Sequence, residues 1–75
     1  MKYLIIEIQK MSDGSIAVPP VSTADNLNAA RSTFYSLCAV AAVSTVPLHS
    51  VVLLNEAGQT LGLESFDHTE SENNG

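Results

Sequence analysis

Residues 34–54 read FYSLCAVAAVSTVPLHSVVLL, and this stretch decides the fold. Its first part continues an apolar stripe that begins upstream: Leu27, Ala30, Phe34, Leu37 and Ala41 recur at intervals of three and four, the period of one helix face. Val46-Pro47 then closes the helix, because the residue before a proline disfavours the α region. Beyond Pro47 the period changes. Ser50–Leu54 (SVVLL) reads as a strand that is apolar on both faces. The spacing therefore predicts one helix, capped by Asp25 or Asn26 and running to about Thr45, that hands over directly to a strand.

Working outward, the N-terminal side predicts a β-hairpin over Met1–Val18. Tyr3–Ile8 (YLIIEI) alternates, with Leu4, Ile6 and Ile8 on one face and Tyr3, Ile5 and Glu7 on the other. Ser12-Asp13-Gly14 is a turn signal, and Ile16 and Val18 resume the alternation. Pro19-Pro20 ends regular pairing or confines this strand to an edge. Val21–Ala24 reads as a connector. On the C-terminal side, Asn55-Glu56-Ala57-Gly58 fits a hairpin turn with Gly58 in the left-handed region. Gln59–Phe66 returns as a strand, with Leu61 and Leu63 on one face and Glu64 and Phe66 on the other. The predicted order is β-β-α-β-β. It implies an α+β two-layer sandwich with a four-stranded antiparallel sheet and one helix on one face. The first and third strands, being the most apolar, are expected at the centre.

The 75 residues make one domain, expected over 1–68. Residues 69–75 (TESENNG) lack any apolar side chain and read as a disordered acidic tail. A chain this short buries only roughly 60% of its unfolded surface and commonly needs a staple. Cys38 is the sole cysteine, so no intramolecular disulfide forms. His49 and His68 have no cysteine pair at metal spacing. No metal or cofactor is expected, and self-association remains as the staple. The net charge of −5, with only Lys2, Lys10 and Arg31 as cations, argues against nucleic acid and against anionic membrane surfaces. The apolar run at Tyr3–Ile6 is too short for a signal peptide, and no stretch reaches membrane-span length. The chain reads as cytoplasmic.

A single helix covers one face of such a sheet, and the other face meets water in a monomer. Tyr3, Ile5, Val52 and Leu54, or their alternates, are expected on that open face. Leu37–Val43 (LCAVAAV) is apolar all round, so the back of the helix, with Ala39, Val40, Ala42 and Val43, is apolar too. Contiguous apolar surface marks an interaction site, and these two faces make a homodimer or higher homo-oligomer the expectation.

No catalytic constellation is readable. Cys38, mid-helix among alanines and valines, reads as a small buried hydrophobe. His49 reads as structural, His68 as solvated beside the acidic tail. Glu7, Asp13, Glu56 and Glu64 form no pair at acid/base spacing, and Gly14, Gly58 and Gly62 are too scattered to cradle a phosphate.

Phe34–Val46 (FYSLCAVAAVSTV), Pro47-Leu48-His49-Ser50 and VVLLNEAG together resemble a group of short uncharacterised proteins of bacteriophages and prophages. Those proteins open on a strand like MKYLIIEIQ and carry an Ala-rich helix ending in a Ser-x-Val-Pro-x-His-Ser element. The resemblance spans nearly the whole chain. Cys38 and Val40 interrupt what is often a plain alanine run, and Pro19-Pro20 is unusual. The resemblance implies viral origin and a bacterial host cell, and it carries over no catalytic residues. The expected function is a non-enzymatic viral binding protein, acting as a homo-oligomer that counters host defence by holding a host protein or a small nucleotide signal. Arg31, Ser32 and His49 are the candidate ligand-binding residues. The alternative is an accessory structural or assembly component of the particle or lysis module.

Overall fold

The computed structural model describes residues 1–68, so the expectation for the tail at 69–75 lies outside the described residues. The elements are β1 (Tyr3–Lys10), β2 (Ile16–Ala17), β3 (Ser22–Ala24), α1 (Leu27–Ala42), β4 (Leu48–Asn55) and β5 (Thr60–Asp67). All strand pairings are antiparallel, in the order β2-β1-β4-β5, with β3 also on β1. The molecule is an α+β sandwich of one helix on one sheet, with the two most apolar strands, β1 and β4, at its centre.

The sheet has one strand segment beyond the expected four. Ser22–Ala24, expected as a connector, is β3 and pairs with Tyr3–Ile5. The physical reason is the proline pair. Pro19 and Pro20 have no N–H to give a ladder, so pairing stops after Ala17. The chain stays extended past them and returns to the same edge of β1, one residue out of register. β3 and β4 both run antiparallel to β1, so they are parallel to each other and α1 is the crossover between them.

Asn26 caps α1, its side-chain oxygen accepting from Ala29 N–H at 2.8 Å. The helix stops at Ala42, three residues before the expected Thr45. Val43 leaves the helical region, and its N–H bonds back to the Val40 and Ala41 carbonyls. Beyond it, Ser44 Oγ accepts from Val46 N–H at 3.0 Å, a local bond that competes with a further helical turn. At the other hairpin, the buried Asn55 organises the turn: its Oδ1 accepts from the N–H groups of Ala57 and Gln59 at 3.0 Å each. Gly58 adopts the expected positive φ, +86°.

Pairing between β1 and β4 is unbroken from Tyr3 opposite Asn55 to Lys10 opposite Leu48. This register sorts the faces. Tyr3 and Ile5 share a face with Leu53 and Val51, and that face lies under the helix. The core there is Ile5, Ala30, Phe34, Cys38, Ala41, Val51 and Leu53. The expectation that Tyr3 and Ile5 lie on the open face is therefore corrected: Ile5 is 1% exposed, and Tyr3 packs against the core. Strand alternation separates odd from even residues, but only the register between strands decides which odd and even sets are joined.

The tip of the Phe34 ring abuts Gly62 of β5. A Cβ added at Gly62 would stand 3.1 Å from Phe34 Cζ and 3.3 Å from Cε2, tighter than ordinary contact. Gly62→Val is therefore predicted to force the ring aside and to destabilise the domain by about 1–3 kcal/mol in a urea titration. A Gly62→Val protein as stable as the parent would show that the Phe34 contact does not set the helix height.

Candidate functional site

Two features stand out from the core: a buried polar pair and an uncovered sheet face. The polar pair follows from the same register. On the helix side of the sheet, Glu7 and Glu64 flank Val51 in one row, and Gln9 and Phe66 flank His49 in the next. His49 and Glu7 are thus diagonal neighbours on adjacent strands, within reach of long side chains. Their Nε2 and Oε2 atoms are 2.9 Å apart, with side chains 3% and 19% exposed. Gln9 Nε2 donates to the same Glu7 oxygen at 3.5 Å.

With the carboxylate as acceptor, His49 Nε2 carries the hydrogen and Nδ1 is left as a bare acceptor. That Nδ1 is buried and has no hydrogen-bond partner among the described residues. Among the described residues, no hydroxyl or thiol hydrogen-bonds to the pair. The contact ties β1 to β4 under the helix.

Cys38 is 9% exposed. Burial, and secondarily the negative charge of Glu64, push its thiol pKa up, which disfavours the nucleophilic thiolate. His68, expected to be solvated, is instead half-buried. Its Nε2 lies 2.9 Å from the Ala41 carbonyl and its N–H donates to Pro47 O at 2.7 Å. The last helical turn has no basic residue of its own, and His68 gives the Ala41 carbonyl a further hydrogen bond from the end of β5, beside the one it accepts from Ser44 N–H at 3.2 Å. The local sequence gave no sign of this contact, because it joins residues 27 positions apart.

The three candidate ligand-binding residues do not converge. Arg31 and Ser32 are exposed near the start of α1. His49 is 2% exposed and pairs with Phe66, close to where His68 meets the opposite end of the helix. An open cleft of about 780 Å³ lies instead between the Met11–Gly14 turn and the α1–β4 connector, with Lys10, Asp13 and Asp67 on its walls. Its mixed charges select neither an anion nor a cation. No group of three His, Cys, Asp or Glu side chains at metal-binding distance occurs among the described residues. None of their helices is long and apolar enough to cross a membrane.

The second feature is the sheet face away from α1. It carries Leu4, Ile6 and Ile8 of β1, Val52 and Leu54 of β4, and Leu63 of β5, and no element of the described chain lies over it. Leu63 is 57% exposed. Of the expected interface residues, Val52 and Leu54 are here. Ala39, Val40, Ala42 and Val43 form the exposed back of the helix, as expected, with Tyr35 beside them. No family model matches this chain, and neither the curated proteins nor the solved structures contain a match to it.

Glu7→Ala is predicted to leave both ring nitrogens of His49 without partners and to destabilise the domain by about 1–3 kcal/mol. Glu7→Gln keeps an acceptor oxygen and is predicted to cost less. Equal losses in urea titrations of the two variants would contradict the assigned hydrogen bond.

Proposed function

We propose that this chain is a non-enzymatic binding protein of bacteriophage or prophage origin, that it works as a homo-oligomer in the bacterial cytoplasm, and that it counters host defence by holding a host protein. The observation that supports the oligomer is the uncovered apolar sheet face. Leu4, Ile6, Val52 and Leu54 are contiguous across the two central strands, and a face of this kind is a contact surface in soluble domains. A non-enzymatic role is supported by the state of the polar groups: Glu7 and His49 are committed to each other, and the Cys38 thiol is buried.

A host protein fits better than a small nucleotide signal. Phosphates need convergent cations, and Arg31 stands apart from His49, while Lys2 is paired with Asp25 at 2.7 Å. The helix back, with Val40 at 62% and Val43 at 82% exposure, remains available as a second apolar surface once the sheet face is occupied.

Native mass spectrometry of gently purified protein reads subunit number and any retained small molecule together. The parent is predicted to be oligomeric with no bound nucleotide. Leu63→Glu, which places a charge on the sheet face, is predicted to yield monomer with the parent circular dichroism. Ala42→Glu, on the helix back, is predicted to keep the parent mass. Dissociation by Ala42→Glu alone would move the oligomer contact to the helix, and a retained nucleotide would replace the protein target with a small-molecule one.

A further inference from the structure

We infer that the free edge of β5 is a further contact between copies of this chain, in which β5 adds antiparallel to β5 of another copy about a twofold axis at Leu63. This contact is separate from the sheet-face one and does not rest on it.

The hydrogen-bond phase of the ladder decides which backbone groups of β5 face outward. His68 N–H donates to Pro47 O at 2.7 Å, one step beyond the Leu48–Asp67 pair, so Pro47 and His68 are a hydrogen-bonded pair. Such pairs alternate with non-bonded ones along an antiparallel ladder. Phe66 and Glu64 therefore bond to His49 and Val51, while Ser65 and Leu63 turn their N–H and C=O groups away from β4. The other side of β4 has the matching phase. Glu56 N–H donates to Lys2 O at 3.0 Å, which aims the backbone groups of Leu54, Val52 and Ser50 at β1 rather than at β5. No described strand takes up the outward groups of β5.

The two edges of the sheet are unequally protected. On the β1 side lie β2, of two residues, and β3, of three, with Pro19 and Pro20 between them offering no N–H. β5 runs for eight residues without a proline, and Leu61 and Leu63 on it are 47% and 57% exposed. A row of unpaired N–H and C=O groups on such an edge is a template for another strand.

The sequence of β5 suits it to itself in one register. Two copies of a strand in one antiparallel sheet are related by an axis normal to the sheet, and that axis passes beside one residue, which faces its own copy. An axis at Glu64 sets two carboxylates directly opposite each other, which is destabilising. Axes nearer either end of the strand shorten the overlap. An axis at Leu63 pairs Thr60 with Phe66 of the copy and Glu64 with Gly62 of the copy, and leaves the two exposed Glu64 side chains as diagonal neighbours only. Leu63 then exchanges both of its backbone hydrogen bonds with Leu63 of the copy. The helices do not collide. α1 packs on Ile5, Val51 and Leu53 of the central strands, and the two β4 strands stand about 14 Å apart, three strand spacings, against a helix diameter of about 10–12 Å. Both open faces end on the same side of the joined sheet, so the apolar surface runs on across Leu63.

The test uses the full chain made by chemical synthesis with an N-methyl group on the Leu63 amide. The methyl removes the outward donor and blocks the edge, and it keeps the leucine side chain on the sheet face. Its circular dichroism is expected to match the parent, because this amide faces away from β4. Sedimentation equilibrium is expected to show association at least tenfold weaker, since two hydrogen bonds are lost. In the unmodified chain, hydrogen exchange at the Leu63 and Ser65 amides is expected to slow as concentration rises, and this decides the matter if the methylated chain does not fold. An intermolecular Overhauser contact from Gly62 Hα to Glu64 Hα is expected to mark the register. A methylated, folded chain that associates as tightly as the parent, or Leu63 exchange that ignores concentration, would overturn the edge pairing. If Ile6→Glu, which changes the sheet face alone, dissociates that same methylated chain, the sheet-face contact survives the loss of this one. A parent that stays monomeric at every concentration would overturn the edge pairing and the oligomeric reading together.

Discussion

The eight-residue pairing of β1 with β4 is the constraint on which the rest of this structure depends. Among the described residues it is the one ladder that joins the two hairpins, which are separated in sequence by the helix. By fixing Ile5 opposite Leu53 and Glu7 opposite Val51, it gathers the odd-numbered residues of both strands under α1. By the same act it sends Leu4, Ile6, Val52 and Leu54 to the other side. A slip of one residue would exchange the faces of β4 and put Val52 and Leu54 beneath the helix. The Glu7–His49 bond lies within this ladder, where it rewards the observed register with a buried, charge-assisted contact.

The sheet is also unequally guarded. Its helix side carries a small core closed by Phe34 resting on Gly62, with the helix ends tied down by Asn26 and by His68. Its other side has large aliphatic side chains and no cover from the described chain. A domain of this size has little stability to spare, and the apolar surface it leaves in water is comparable in kind to what it buries. Closing that face with a second copy would convert a marginal two-layer domain into a four-layer assembly with one continuous interior.

Most of the architecture was legible in the sequence because it follows from local periods. Alternation in YLIIEI, the three-and-four spacing around Phe34, the Val46-Pro47 break and the Gly58 turn each depend on a few neighbouring residues. What was not legible depends on contacts between distant residues. Tyr3 and Ile5 were grouped with Val52 and Leu54, because alternation within a strand is silent on how two strands are matched. β3 was hidden by its three-residue length behind two prolines. The partner of Glu7 lies 42 positions away and that of the Ala41 carbonyl 27 away, so neither His49 nor His68 showed its role. The placement of the expected ligand trio was hidden for the same reason: Arg31 and Ser32 lie near the start of α1 and His49 on β4.

Isotope-filtered nuclear Overhauser spectroscopy on a mixture of labelled and unlabelled chains tests the sheet-face dimer most directly, because it sees only contacts between copies. The account predicts intermolecular cross-peaks among the methyls of Leu4, Ile6, Val52, Leu54 and Leu63. Intermolecular cross-peaks confined to Val40 and Val43, or none at all in a sample that diffuses as a monomer, would contradict it.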